Sequence, residues 1–157
     1  MGWLGVLHFP DGRRGELLVE AKANIPELLG GAATECKAAD VSRERIQKAL
    51  ERAAQAIGAR PPSIEAWLGP LYQTANRLAH LYFLREVLNR PDAWLFHILF
   101  EDDTTFKPTT RAQWKQALSE VDTALGLPSP VPHAGHGACR SAPETSRVAS
   151  SVTALTD

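Results

Sequence analysis

Glu20 and Lys22 stand two residues apart in Leu17-Leu18-Val19-Glu20-Ala21-Lys22, a run that is otherwise apolar and strand-like. Side chains on a strand alternate between faces, so Glu20 and Lys22 share one face and Val19 and Ala21 share the other. A charged pair on one face of a buried-looking strand is costly unless it is paired, bound to a metal or used in chemistry. A second polar set lies further along the chain. Gln73, Asn76, Arg77 and His80 fall at i, i+3, i+4 and i+7, one stripe on an otherwise apolar helix. A polar stripe on a buried helix needs partners.

The elements that must position these residues are legible from periodicity. Trp3-Leu4-Gly5-Val6-Leu7-His8-Phe9 reads as a strand, Pro10-Asp11-Gly12-Arg13-Arg14-Gly15 as a turn, and residues 16–22 as the return strand of an antiparallel hairpin. A short helix is expected around residues 26–29, ending at Gly30-Gly31. Ser42 is the expected N-cap of a longer helix in which Ile46, Ala49, Leu50, Ala53 and Ile57 recur at helical spacing, stopped by Gly58 and Pro61-Pro62. A third helix, over residues 70–89, is apolar nearly all round and is expected to be central. Residues 93–100 form a continuous apolar run suited to a strand covered on both faces, with His97 a hydrogen-bonded core histidine. Glu101-Asp102-Asp103 reads as its solvated end. Thr110-x-x-Gln113 is a capping-box pattern opening a last helix that carries Trp114, Ala117, Leu118, Val121 and Leu125 on one face and stops at Gly126.

The fold class is therefore α/β: a mixed β-sheet with an antiparallel hairpin, followed by helices and a further strand. Residues 1–126 form the domain. Residues 127–157, rich in Pro, Ser, Ala, Thr and Gly, are expected to be a disordered tail. His133-x-x-His136-x-x-Cys139 in that tail has metal-like spacing, but with no fourth ligand and no packed scaffold it reads as chance.

Composition narrows the function classes. Lys+Arg 17 against Asp+Glu 18 gives a net charge of -1, so any nucleic-acid contact must come from a local patch, such as Arg13-Arg14, which otherwise serves turn solubility. No run approaches the roughly 18 apolar residues of a membrane span, and no secretory leader is visible, so a cytoplasmic protein with no membrane partner is expected. Cys36 and Cys139 form no disulfide framework. No Gly-rich phosphate loop, Ser-His-Asp arrangement or CxxC pair is present.

The strand order, the Glu20-x-Lys22 pattern on the second strand and the following helix resemble the PD-(D/E)XK (restriction-endonuclease-like) nuclease superfamily, over residues 3–126. The resemblance implies metal-dependent phosphodiester hydrolysis of nucleic acid. It implies Mg²⁺ or Mn²⁺ held by Glu20 and the backbone carbonyl of Ala21, with Lys22 activating water or stabilising charge on the phosphate. Gln73 and Asn76 are expected to face Glu20 and Lys22, with Arg77 and His80 toward the substrate.

The chain departs from that family at its first acid, which belongs on the first strand. Asp11 lies in the turn, on the order of 20–25 Å from Glu20 at about 3.3 Å per residue, too far for ligands that converge within about 2–2.5 Å of one ion. With Asp11-Gly12 as the central turn pair, Glu20 faces residue 3 and Lys22 residue 1. A longer loop moves those partners to about residues 5 and 3. Residues 1–5 contain no carboxylate, and Gly2 stands where relatives with Trp-Asp-Ala-Leu-Gly carry the acid. The chain is thus expected to be truncated, lacking the leading helix and the first acid, which leaves apolar surface that favours a homo-oligomer. Two other readings stay open: a catalytically dead nuclease-fold binding module, and an unrelated α/β protein with a structural Glu20–Lys22 pair, on an exposed edge strand and beside a solvated helix face.

Overall fold

The computed structural model describes residues 2–30, 34–61, 64–104, 107–131, 134–140 and 152–154. Strands β1 (Gly2–His8) and β2 (Arg14–Lys22) form the expected hairpin. Its loop holds three residues rather than two. The Phe9 N–H donates to the Arg13 carbonyl (3.0 Å), and Gly12, at φ 86°, donates to the Phe9 carbonyl (2.9 Å). A left-handed residue closing a three-residue loop is a glycine position, and the extra residue slides the ladder by one. Glu20 consequently faces Gly2 rather than residue 3.

After β2 come α1 (Ile25–Leu29), capped by Asn24, and α2 (Asp40–Ala56). The second helix begins two residues before Ser42. Ala39 is its N-cap and gives no side-chain bond, while Asp40 puts a carboxylate in the first turn, where the helix dipole favours it. The expected helix over 70–89 is divided. A one-turn α3 (Glu65–Leu68) precedes it, α4 covers Tyr72–Tyr82, and Phe83–Val87 continues as a π-helical turn. The wider turn rotates Phe83 and Val87 outward to solvent, so the helix is central only through Thr74, Ala75, Leu78 and Leu81.

Strand β3 (Trp94–Glu101) lies parallel to β2. Helix α5 (Arg111–Leu125) starts on a complete Thr110–Gln113 capping box and ends at Gly126 in the left-handed conformation. A side chain at Gly126 would also collide with the backbone of Arg60 and Pro61. Strand β4 (Ala134–Arg140) then pairs parallel to β3, and β5 (Val152–Ala154) antiparallel to β4, giving the order β1-β2-β3-β4-β5. The expectation of a disordered tail from residue 127 thus fails for 134–140. The Gly/Ala-rich segment lacks an apolar period of its own and is ordered by ladder bonds to β3. Residues 141–151 and 155–157 lie outside the described residues.

One face of the sheet carries the core. Leu95 and Leu99 of β3 meet Leu28, Leu50, Trp67, Leu78, Leu81 and Trp114 in a single cluster. The buried indoles are satisfied, Trp67 donating to the Leu125 carbonyl and Trp114 to the Phe100 carbonyl, both at 3.0 Å. The alternate residues Phe96, Ile98 and Phe100 are half-buried and stand outside that cluster, so β3 is covered by helices on one face among the described residues. The continuous apolar run predicted cover on both.

Candidate functional site

The charged residues of β2 point into the helix-covered face. Glu20 and Lys22 are 3% and 4% exposed, which excludes the solvated-edge reading of the pair. Strand register sets a row across this face: Gly2 on β1, Glu20 on β2, His97 on β3 and His136 on β4 are successive partners. Directly paired residues present their side chains to the same face. The rings of His97 and His136 lie 5.1 Å apart with planes inclined by 30°.

Helix α4 lies over Glu20 and Lys22 and contributes two side chains one turn apart. Arg77 Nε donates to Glu20 Oε2 (2.7 Å), and Lys22 Nζ contacts Glu20 Oε1 (3.2 Å). Lys22 Nζ also donates to Gln73 Oε1 (3.2 Å). Each carboxylate oxygen of Glu20 thus meets a cation. Of the stripe expected to face the pair, Gln73 does so. Arg77 sits on Glu20 itself, where a phosphate contact was expected. Asn76 and His80 form a local contact, the His80 Nδ1 against the Asn76 carbonyl (2.6 Å), and His80 is exposed. Ala21 stands on the opposite face of β2, paired with Ile98.

The electrostatics follow from this geometry. Burial pushes the Glu20 carboxyl up, but the Arg77 hydrogen bond and the Lys22 charge and hydrogen bond outweigh it, and the group is held below the ordinary glutamate range. His97 is pushed down to about 3 by burial first, then by His136, Lys22 and Arg77, against the opposing pull of Glu20. It is therefore neutral at pH 7. Among the described residues neither His97 ring nitrogen has a hydrogen-bond partner, so the expected hydrogen-bonded core histidine is buried but unsatisfied. Burial lowers His136 as well.

Beside Lys22, where β2 ends, a crevice of about 440 Å³ opens. It is lined by Lys22, Asn24, Glu27, Thr34, Gln73 and Lys107, among others. The carboxyl ends of parallel strands are where open α/β sheets bind ligands.

The donor set can be tested against a divalent cation. Mg²⁺ takes oxygen ligands, with at least one or two carboxylates from the protein. Gly2 faces Glu20, and β1 contains no acid. Among the described residues no group of three His, Cys, Asp or Glu side chains converges as a metal site. The residues present therefore fall short of a divalent-metal centre. His133 and the side chain of Cys139 lie outside what is described, while His136 stands in a strand beside His97 rather than in a loose tail.

Other polar residues fall differently from their sequence reading. Glu101, expected to be solvated, is buried and holds Arg111 at 2.7 Å. Arg13 pairs with Asp11 and Asp92 and lies over the Phe9 ring. Asn24 was missed, although Asn24-Ile25-Pro26-Glu27 carries an N-terminal helix signature. No helix among the described residues is long and apolar enough to cross a membrane.

Fold and site together define an α/β domain with a mixed sheet, a buried carboxylate–lysine pair met by a half-buried arginine, and a crevice beside the lysine. Comparison with protein-family models, curated proteins and solved structures finds no match for the chain.

Proposed function

We propose that this chain is a nuclease-lineage domain that binds nucleic acid through phosphate and does not hydrolyse it by the metal-dependent route. The observation that carries the reading is the pairing of Gly2 with Glu20. In the PD-(D/E)XK arrangement an acid stands opposite that glutamate, and the two hold the cation. Here one half of the pair has no side chain, and Lys22 and Arg77 meet the remaining carboxylate. The hairpin with Glu20-x-Lys22 on its second strand, followed by a parallel crossover to β3, supports the lineage. The crevice beside Lys22 supports retained phosphate binding.

The test is a gain of function. Gly2→Asp places a carboxylate directly across from Glu20, with Cβ atoms about 4.5–5.5 Å apart. Wild-type protein is expected to bind labelled single- or double-stranded DNA or RNA without cutting it in Mg²⁺ or Mn²⁺. The Gly2→Asp protein is expected to acquire saturable Mn²⁺ binding by calorimetry, abolished by Glu20→Ala in a variant shown by circular dichroism to be folded. Cleavage by the wild type that Glu20→Ala and Lys22→Ala both abolish would show that another group supplies the missing ligand. Absence of nucleic-acid binding by folded protein would leave Glu20 and Lys22 as a structural ion pair.

A further inference from the structure

The sheet has a second face, opposite the one under the helices. Register assigns to it Leu17 and Ala21 of β2, Phe96, Ile98 and Phe100 of β3, and Gly135 of β4. All of these residues are half-buried. Arg14, Glu16, Glu20, Lys22, Glu101 and Arg140 hold register positions of the helix-covered face instead. The usual pattern is thus inverted: the strands' charges lie under the helices, and the other face has none. A sheet face left open to water ordinarily carries polar residues at alternate positions, and a face without them is one that is covered. Among the described residues Leu17, Phe96, Ile98 and Phe100 stand outside the core cluster that the helices form with the sheet. The Phe96 ring comes within 3.5 Å of where a β-carbon on Gly135 would stand, so an aromatic ring takes the place of the missing side chain.

We infer that this face is a dimer interface, covered by the same face of a second copy of the chain. Its size supports that occupant. Four strands about 4.8 Å apart, each about seven residues long at about 3.3 Å per residue, span roughly 19 by 23 Å, on the order of 450 Å². Two such faces, with the relief of their side chains, bury on the order of 1,000 Å², the area at which a specific interface becomes tenable. Because the face carries no charge, a copy laid on itself buries no unpaired ion. Sheet-on-sheet packing closes both open faces at once, and a two-fold contact needs no other partner. A second apolar surface lies on the helix side, where Leu4, 70% exposed, and Phe83 line a groove, but Arg77 and His80 interrupt it and make it the poorer match for a copy of itself. In the inferred dimer the helix-covered faces, with Glu20 and the crevice beside Lys22, turn outward in both copies. The inference therefore does not rest on the nucleic-acid reading.

Sedimentation velocity of the full chain is expected to show a dimer that dissociates on dilution through the micromolar range, as suits an interface at the small end of the specific class. Nothing larger is expected, because a two-fold contact closes on itself. In a mixture of isotope-labelled and unlabelled chains, filtered NMR spectra are expected to show NOEs from the Ile98 methyl groups to the unlabelled copy. Ile98→Lys brings two like charges into the interface and is expected to weaken dimerisation about a hundredfold. Leu4→Lys, on the helix side, is expected to leave it unchanged. The NOEs are read on the wild-type sequence, so they decide the matter even where Ile98→Lys does not fold. A monomer at every concentration, or a dimer without intermolecular NOEs at Ile98, would overturn the interface. A folded Ile98→Lys protein that dimerises like the wild type would overturn it too, as would a dimer broken by Leu4→Lys alone, which would move the contact to the groove on the helix side.

Discussion

Two glutamates are buried on the same face of the sheet and each is met by an arginine, yet they are built differently. Glu101, at the end of β3, is held by Arg111 through Nε at 2.7 Å and a second nitrogen at 3.5 Å. Arg111 opens α5 and remains 45% exposed, so this pair ties a strand end to a helix start at the protein surface. Glu20 lies mid-sheet under α4. It meets Arg77 and also a lysine that is itself nearly as buried as the carboxylate. An unsatisfied histidine is its neighbour in the row, and a crevice opens at the lysine. A pair made for fastening needs one exposed partner. A lysine buried beside its carboxylate, with a crevice opening next to it, fastens nothing to the surface.

That contrast predicts the largest effect. Glu20→Gln keeps the side-chain shape but strands the charge of Lys22 in the interior, which is expected to cost about 3–5 kcal/mol. Glu101→Gln leaves Arg111 free to turn to water, and the cost is expected nearer 1–2 kcal/mol. Urea unfolding of the two variants, with unchanged dependence on denaturant, measures both. Equal losses would mean that the buried lysine is no more demanding than the exposed arginine, and the distinction between the two regions would collapse.

A second prediction sharpens the comparison through pH, because no histidine is the register partner of Glu101 on either strand. His97 has an ordinary value of 6.5 and is lowered to about 3 in the fold. The unfolded chain therefore binds a proton that the folded chain refuses between those values. The contribution is fully present above pH 6.5 and is lost as pH falls toward 3. The slope is about 1.4 kcal/mol per pH unit for one group. Glu20, held below its ordinary 4.5, loses its contribution in the same direction, at the acid end of that range. His97→Leu is expected to flatten the stability profile between pH 6 and 5, at little cost at pH 7, since both ring nitrogens are unsatisfied. A slope that survives the substitution would move the titration elsewhere.

How much of this was legible in the sequence depends on the range of the interaction. The hairpin, the capping box at Thr110 and the stop at Gly126 are set by residues within a few positions of one another, and all three stand. Period-2 alternation put Glu20 and Lys22 on one face correctly, and helical spacing brought Gln73 and Arg77 to the same side of α4. The row Glu20–His97–His136 was out of reach because parallel register is fixed by packing across a long crossover. Strand β4 was missed for a related reason: a Gly/Ala segment has no face of its own and takes its conformation from β3. The stripe alone does not say which of its residues reaches the carboxylate; Arg77 does. Glu101 was misread because an acidic run at a strand end resembles solvated sequence until an arginine ten residues later folds back on it.

The smallest expected effect lies at the hairpin turn, far from both buried glutamates. Asp11 accepts from Arg13 at the main chain (3.0 Å) and at Nε (2.8 Å), and Arg13 also reaches Asp92 (2.7 Å). The Arg13 side chain holds the Asp11 carboxyl below its usual range, but both groups are more than half exposed and water screens them. Asp11→Asn keeps a side-chain acceptor for the turn and removes the charge. Its expected effect on stability is the smallest of the set, shrinking further in 1 M salt. The same salt step is expected to change the gap between Glu20→Gln and wild type far less, since Glu20 and Lys22 are buried. A turn variant as costly as a core variant, or a salt-sensitive Glu20 gap, would show that burial does not separate the charged residues of this fold.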